Sequence, residues 1–141
     1  MARRPLPPLD PDDYRRLAAF RHTLRRFLHF SESAAARMGV TGQQYHALLA
    51  VRASAGGRPL TINDLAGQLL IKHNSAVGLV DRLAEQGLLV RKPAQDDARK
   101  VNLALTAKGA RVLGRLAGSH WEELGRVGTQ LRELLRQIAG S

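Results

Sequence analysis

The sequence contains no cysteine, and this absence excludes several chemistries at once. Without a thiol there is no disulfide bond, no thiolate zinc site and no sensing of oxidants through cysteine. No apolar run approaches the roughly 20 residues that cross a bilayer, and the Arg-Arg-Pro start lacks the apolar stretch of a signal peptide. We therefore expect a cytoplasmic protein with no membrane partner.

Signatures of enzymatic chemistry are also missing. The sequence has no glycine-rich phosphate loop after a strand and no arrangement that would activate a nucleophile. The adjacent acids Asp96 and Asp97 suit a turn better than a pair of catalytic carboxyl groups. We therefore expect no enzymatic activity and no cofactor.

What the chain does have is positive charge. Its 141 residues suit one small domain, and its net charge of +10 favours a polyanion as partner. Residues 58–100 hold only seven basic against five acidic side chains, so much of the positive charge lies outside them. Arginines at positions 15, 16, 25 and 26 form either a solvated face or a flank for the polyanion.

The centre of the chain carries the pattern of two short helices joined by a tight turn. Thr61 and Asp64 form a capping box, and apolar residues follow at helical spacing as far as Leu69. A second helix begins at His73 and ends at Gly87, where a left-handed residue is tolerated. Its predicted buried face consists of Ala76, Leu79, Val80 and Leu83.

Two strands follow the second helix. Alternate apolar residues predict them, with a polar turn over residues 93–97 that is expected to be exposed. These alternating residues are Leu88, Val90, Val101, Leu103 and Leu105. The order of elements predicts a mainly α fold with a small β wing, a winged helix-turn-helix, and therefore a protein that binds duplex DNA.

The predicted DNA contacts lie on the second helix and on the wing. Asn74 suits an adenine edge and Val77 a thymine methyl group, while Arg99 suits a narrow minor groove with Asp97 bracing its guanidinium. Two ordinary interpretations remain open: Asn74-Ser75 as a helix N-cap, and the wing as a solvated hairpin tip. The full set is Lys72, His73, Asn74, Ser75, Val77, Gly78, Arg82, Asp97, Arg99 and Lys100.

The outer segments have the pattern of long helices. Asp10 and Pro11 begin the first, Gly39 ends it, and Thr41 with Gln44 begins a second. Thr106 begins a C-terminal pair of helices, with an apolar seam that extends almost to the end of the chain. The seam either pairs with a second copy or folds back on the first helix. We assign 1–57 to an N-terminal dimerisation helix and a second helix, 58–105 to the winged helix-turn-helix and 106–141 to C-terminal dimerisation helices, all within a single domain of 141 residues.

One long segment carries a family resemblance. LVDRLAEQGLLVRKPAQDDARKVNLALTAKG resembles the MarR family of bacterial winged-helix transcription regulators. The chain departs from that family at Val77-Gly78, where a polar or basic residue is frequent. The matching positions are Val80, Asp81, Arg82, Leu83, Gly87, Asp97, Arg99, Leu105, Thr106 and Gly109.

The resemblance implies a homodimeric, ligand-responsive regulator of transcription. Two copies would place their recognition helices about one DNA turn, roughly 34 Å, apart on an inverted-repeat operator, with repression as the expected outcome. It also implies a small aromatic or anionic effector between the dimerisation helices and the DNA-binding region. The candidate contacts are Phe20, Arg21, Phe27, Tyr45, His46 and Trp121.

Two other functions stay open. Val77-Gly78 and the modest charge of residues 58–100 are compatible with a protein-interaction or architectural module that binds no specific operator. Zinc sensing by three of His22, His29, His46 and His120 is weaker, because no compact motif supports it. We therefore predict no metal site.

Overall fold

A computed structural model describes residues 2–3, 5–97 and 99–140. These residues form five α-helices and one two-stranded antiparallel sheet, which confirms the predicted mainly α fold with a small β wing. The elements are α1 (Pro11–Arg37), α2 (Gly42–Ala53), α3 (Ile62–Leu69), α4 (His73–Glu85), β1 (Leu89–Pro93), β2 (Val101–Leu105) and α5 (Ala107–Ala139).

Three helices begin with a reciprocal pair of hydrogen bonds. In each pair the first side chain accepts from the backbone amide three residues later, and that later side chain accepts from the first residue's amide. These pairs satisfy amides that the first helical turn leaves without an intrahelical partner. The pairs are Asp10 with Asp13, Thr41 with Gln44 and Thr61 with Asp64. The last two were predicted as capping boxes, whereas Asp10 was predicted as a cap without its partner Asp13.

The turn between α3 and α4 contains an unusual residue. Leu70 caps the C-terminus of α3 in the left-handed region, at φ +56°, and its side chain is 92% exposed. A left-handed conformation costs a residue with a Cβ roughly 1–2 kcal/mol. The next helix ends as predicted at Gly87, whose φ of +73° costs a glycine little.

The inward-facing residue of β1 differs by one position from the sequence prediction. Leu89 pairs with Leu105 and Arg91 with Leu103, so Leu89 lies on the inward face of β1. Leu89 is 1% exposed and Val90 is 38% exposed, so the prediction that Val90 faces inward is wrong. Leu88 is buried too, but in the turn before the strand, and this shifts the alternation by one residue.

The wing is also attached to the helices beside it. The amide of Leu103 donates to the carbonyl of Leu60 at 2.9 Å, and Asn102 forms a bridge with Thr61. Within the predicted polar turn Ala94 is buried, because its amide donates back across the hairpin to the carbonyl of Lys100 at 3.0 Å. The expectation that the whole turn is exposed is therefore wrong at Ala94.

The chain divides into two compact units. The terminal unit lies within Met1–Phe30 and Trp121–Ser141, and the central unit is Ser31–His120. The central unit contains the apolar core of the winged helix-turn-helix. Its most completely buried large side chains are Leu48, Leu65, Leu79, Val80, Leu83 and Leu89.

The terminal unit exposes large apolar side chains along both of its helical segments. Leu28 is 59% exposed and Trp121 is 84% exposed, whereas Thr23 is the one buried residue among those described in this unit. The predicted C-terminal pair of helices is a single helix, α5, of 33 residues, so the prediction of a break is wrong. Over the described residues, no helix has both the length and the hydropathy needed to cross a membrane.

Candidate nucleic-acid interface

Helix α4 has two faces with opposite exposure. Ala76, Leu79, Val80 and Leu83 are buried in the central unit, as predicted. On the other face Val77 and Gly78 are half-buried, and five predicted DNA contacts are exposed: Lys72, His73, Asn74, Ser75 and Arg82. The arrangement leaves the N-terminal half of α4 accessible to a DNA groove.

The N-terminus of α4 has no side-chain cap. Its N-cap is Lys72, which has extended backbone angles and no capping hydrogen bond from its side chain. The alternative interpretation of Asn74-Ser75 as the N-cap is therefore wrong. Unlike the first turns of α2 and α3, that of α4 offers uncapped amides and the positive end of the helix dipole to solvent.

His73 is held in place by a residue of the preceding helix. Its ring nitrogen Nδ1 lies 2.6 Å from Oδ1 of Asn63, near the start of α3. Both side chains are exposed, so this hydrogen bond lies at the surface beside the first turn of α4. The sequence analysis missed Asn63, because the two residues are ten positions apart and no motif connects them.

Position 78 has room for a side chain. A Cβ built on Gly78 would have as its nearest neighbour Nη1 of Arg82, at an ordinary contact distance of 3.5 Å. The glycine is therefore not required by packing.

On the next turn Asp81 accepts a hydrogen bond from Arg91, so the guanidinium of Arg91 is partly neutralised by a partner within the chain.

The wing tip has the predicted pairing. Oδ1 of Asp97 accepts from the backbone amide of Arg99 at 3.0 Å and from its Nε at 3.2 Å. These two bonds, the backbone bond first, lower the pKa of the Asp97 carboxyl. The Arg99 side chain is 92% exposed, so its guanidinium is oriented by Asp97 and open to solvent. Lys100 is exposed beside it.

A groove of about 800 Å³ lies between the start of α3 and the wing. We call it the wing groove, and its lining includes Arg58, Asn63, His73, Arg99 and Lys100. The sequence analysis did not select Arg58, which lies before α3 and donates to Asp64 at 3.0 Å. The fold thus brings side chains from the start of α3, the start of α4 and the wing to one concave surface.

The turn after α4 is fixed by the first turn of α5. The hydroxyl of Thr106 donates to the carbonyl of Gly87 and accepts from the amide of Gly109 at 2.9 Å. Nζ of Lys108 donates to the carbonyl of Gln86 at 2.9 Å. The predicted role of Thr106 as a helix cap is confirmed, and the same residue also anchors the turn that follows α4.

Gly109 is required by the close approach of these two segments. A Cβ at this position would lie 2.1 Å from the carbonyl oxygen of Leu88, far inside van der Waals contact. That oxygen already accepts a hydrogen bond from the amide of Thr106 at 3.1 Å, so it cannot move away without losing the bond. The glycine in the Leu-Thr-x-x-Gly motif therefore has a packing role.

The predicted effector contacts belong to both units. Tyr45 and His46 lie in the central unit, where His46 is exposed. Tyr45 is buried and stacks on His120 with 4.2 Å between ring centroids, and burial raises the pKa of its phenol. The others lie in the terminal unit: Phe20, Arg21, Phe27 and Trp121. Their role in binding an effector stays a prediction.

His120 has a partner at each ring nitrogen. Nδ1 lies 2.6 Å from the carbonyl of Leu116, and Nε2 lies 2.7 Å from the hydroxyl of Ser31. A carbonyl only accepts, so Nδ1 carries a hydrogen. Across the described residues, no three His, Cys, Asp or Glu side chains form a group that could hold a metal ion.

Comparison with known proteins gives the same architecture. Residues 38–100 match the model of the MarR family. Over 101 residues the chain is 30% identical to the HTH-type transcriptional regulator FarR of Neisseria gonorrhoeae, an alignment that covers 72% of this chain and 62% of FarR. The chain spans between 48% and 62% of the length of the curated relatives that it matches.

Solved structures extend this similarity to the fold. The S. aureus MepR–DNA complex matches with a TM-score of 0.68 and 21% identity, over 85% of this chain and 91% of that chain. CouR from Rhodococcus jostii RHA1, bound to p-coumaroyl-CoA, matches with a TM-score of 0.68 and 25% identity, over 85% and 88%. Both support the assignment of α3, α4 and the wing to a winged helix-turn-helix.

Proposed function

We propose that this chain, whose residues 38–100 match the MarR family model, is a cytoplasmic transcriptional regulator of that family that binds a specific double-stranded operator as a homodimer. One observation carries the proposal: the exposed face of α4 and the wing tip with its Asp97–Arg99 pair lie in the same packed unit. The relatives compared above are regulators rather than enzymes, in agreement with the expectation of no enzymatic activity.

In this proposal α4 is the recognition helix. Asn74 and Ser75 contact base edges or phosphates, Val77 contacts a thymine methyl group, and Arg82 contacts the DNA backbone. The uncapped first turn of α4, beginning after Lys72, contributes amide donors for a phosphate oxygen. Gly78 allows the helix backbone to approach the groove closely.

The wing makes the second contact. Arg99 enters the minor groove, where the negative potential is strongest when the groove is narrow. Asp97 limits the rotamers that the guanidinium samples before it binds, because both of its contacts to Arg99 exist in the free protein. Lys100 adds a phosphate contact that positions the wing without reading sequence.

The homodimer follows from the terminal unit. Its exposed large apolar residues lie on both helical segments, and a second copy of this chain would remove them from water. A dimer also matches the symmetry of an inverted-repeat operator, because two recognition helices related by a two-fold axis bind two half-sites. The structure of the MepR–DNA complex shares the winged helix-turn-helix fold on which this arrangement is built.

Regulation by a small molecule is the remaining part of the proposal. CouR is similar to this chain over 85% of this chain's length and binds p-coumaroyl-CoA, an aromatic and anionic compound. An effector of that general class, contacting some of the residues predicted from the sequence, would favour one spacing of the two recognition helices of a dimer and so release a repressor from DNA.

A gel-shift assay tests the proposal. The purified protein is titrated against the duplex upstream of its own reading frame and against a random duplex of equal length at physiological salt. We expect a specific complex that Arg99→Ala weakens about tenfold, since a good base or groove contact contributes about 1–3 kcal/mol. Arg52→Ala, which removes an exposed charge from α2, is the matched control and should lower the affinity for both duplexes by the same factor.

Equal affinity of the unmodified protein for both duplexes would overturn operator binding and favour the architectural alternative. If Arg99→Ala kept the full specific affinity, the wing assignment alone would be wrong. Salt dependence adds a check, because lost phosphate contacts reduce the slope of affinity against salt concentration.

A further inference from the structure

We propose that His73 reads an exocyclic amino group in the major groove through Nε2, and that Asn63 is the positioning residue that makes this possible. The inference rests on the proposed operator binding and deepens it. It assigns a donor class to one base, either the N4 amino group of cytosine or the N6 amino group of adenine.

The tautomer of His73 follows from its partner. Oδ1 of Asn63 is a carboxamide oxygen, which only accepts, so Nδ1 of His73 donates across the 2.6 Å contact. A neutral imidazole has one donor and one acceptor nitrogen, and the hydrogen bond made by one nitrogen fixes the role of the other. Nε2 of the neutral ring is therefore an acceptor.

The position of the ring puts that acceptor at the N-terminus of α4, the proposed recognition helix. His73 is the first residue of α4 and is exposed, and Nε2 has no hydrogen-bond partner within residues 2–3, 5–97 and 99–140. Residues at the N-terminal end of a recognition helix are the ones that reach base edges. Because Asn63 belongs to α3, which packs in the same unit, it holds the ring from outside α4.

The chemistry of the groove then selects the base. Guanine presents N7 and O6 and thymine presents O4, which are all acceptors, and phosphate oxygens are acceptors as well. An acceptor Nε2 gains nothing from any of them. Cytosine N4 and adenine N6 are the donors that the major groove offers, so a neutral His73 held by Asn63 discriminates in favour of these two groups.

The first test is on the free protein. Nitrogen-15 NMR of the imidazole rings at about pH 8, where an ordinary imidazole is neutral, reports which ring nitrogen carries the hydrogen. We expect His73 to be protonated at Nδ1 in the unmodified protein and in Asn63→Asp, whose carboxylate still accepts. Asn63→Ala should release the ring to a mixture of tautomers, while Asn102→Ala, in the same wing groove, should change nothing.

The second test uses base analogues in the upstream duplex. Purine in place of adenine, or 2-pyrimidinone in place of cytosine, removes one amino group at a time. We expect one substitution in each half-site to weaken binding about fivefold, the effect of losing one net hydrogen bond of about 1 kcal/mol. In His73→Ala, removing the same amino group should have no further effect on affinity. Removing it should still weaken binding by Asn63→Asp, but not by Asn63→Ala.

The outcomes separate the two proposals. If the unmodified protein fails to distinguish the upstream duplex from a random one, operator binding fails and the inference falls with it. If discrimination holds but no amino-group deletion depends on His73, or if Nε2 carries the hydrogen in the free protein, the inference alone is overturned.

Discussion

The central unit buries its large apolar side chains, whereas the terminal unit leaves them exposed. In the central unit Leu48, Leu65 and Leu83 have no exposed surface, and the helices that carry them begin or end at specific capping residues. In the terminal unit large apolar residues such as Leu28 and Trp121 remain exposed along the helices. One unit has its own core, and the other has large apolar side chains that the proposed dimer would bury.

This difference indicates where stability and assembly reside. Burying a leucine side chain contributes roughly 1.5–3 kcal/mol, so the central unit has an internal source of folding free energy. The terminal unit lacks a comparable core among its described residues, and its stability should depend on protein concentration. The proposed DNA-binding surface thus lies on the unit that has its own core.

The largest expected effect concerns the packing of the central unit. Gly109→Ala places a Cβ against the backbone of Leu88 and should lower the free energy of unfolding by about 3 kcal/mol or more. Gly114→Ala, also on the part of α5 within the central unit, is the matched control: its Cβ meets nothing within 4 Å, so it should stabilise the helix by up to about 1 kcal/mol. Urea denaturation measures both, and equal effects would contradict the packing role of Gly109.

The next effect concerns assembly through the terminal unit. Leu124→Asp puts a carboxylate on an exposed apolar position of α5 and should weaken the dimer on the order of a hundredfold, because a buried unpaired charge costs several kcal/mol. Thr129→Asp adds the same charge at an exposed polar position of that helix and should have little effect. Sedimentation velocity over a dilution series measures the association.

Fluorescence checks the same assignment independently. Trp121 is the only tryptophan, so its emission reports on the terminal unit alone. We expect a shift to longer wavelength on dilution, as the dimer dissociates and the indole becomes exposed. Emission that is typical of an exposed indole at every concentration would place the dimer interface elsewhere.

A smaller effect, on the order of 1 kcal/mol, is expected at a charged cap. In Asp64 the hydrogen bond from the backbone amide of Thr61, followed by the Thr61 hydroxyl and the charge of Arg58, lowers the carboxyl pKa below its ordinary value of 3.8. Its stabilising effect is therefore complete above that ordinary value and is lost as the pH falls through the lowered pKa of the folded state. The difference in unfolding free energy between the unmodified protein and Asp64→Ala should shrink over this acidic range.

Glu133 of the terminal unit is the contrast to Asp64. Hydrogen bonds from Arg136 and Gln137 lower the pKa of its carboxyl to about 2. The Glu133–Arg136 pair is solvent-exposed on α5, and exposed pairs contribute little to stability. Glu133→Ala should therefore leave the unfolding midpoint of the protein nearly unchanged from neutral to acidic pH, and a loss as large as that of Asp64→Ala would contradict the distinction between the units.

One substitution is expected to raise stability slightly. Leu70→Gly removes the left-handed strain at the end of α3 and should raise the free energy of unfolding by up to about 1 kcal/mol, since the exposed leucine contributes little burial. Leu70→Ala keeps a Cβ and should show no such gain. A loss of stability in Leu70→Gly would indicate that this side chain is needed in the folded protein.

The sequence predicted those features that depend on neighbours along the chain. The capping pairs and the turn at Gly87 depend on residues a few positions apart, and each was placed correctly. The Asp97–Arg99 brace spans two residues and was found for the same reason. Its role in binding DNA stays a prediction.

The features that escaped prediction depend on tertiary approach. Nothing near Gly109 in the sequence indicates that Leu88 lies against it, and nothing near His73 indicates Asn63. The inward face of β1 was misassigned by one residue because Leu88, which is buried in the turn before the strand, was counted as part of the strand's alternation. The C-terminal segment was predicted as a pair of helices, but it is the single helix α5, which its glycines do not interrupt.

The uncapped start of α4 has a consequence for the kinetics of local opening. Omitting a side-chain cap forgoes about 1 kcal/mol, so the first turn of α4 should exchange its amide hydrogens faster than those of α2 and α3. In the proposed operator complex, part of the conformational entropy of that turn is lost on binding. This cost would lower the affinity for every duplex equally and leave the ratio between operator and random sequence unchanged, so the protein would dissociate more readily without becoming less selective.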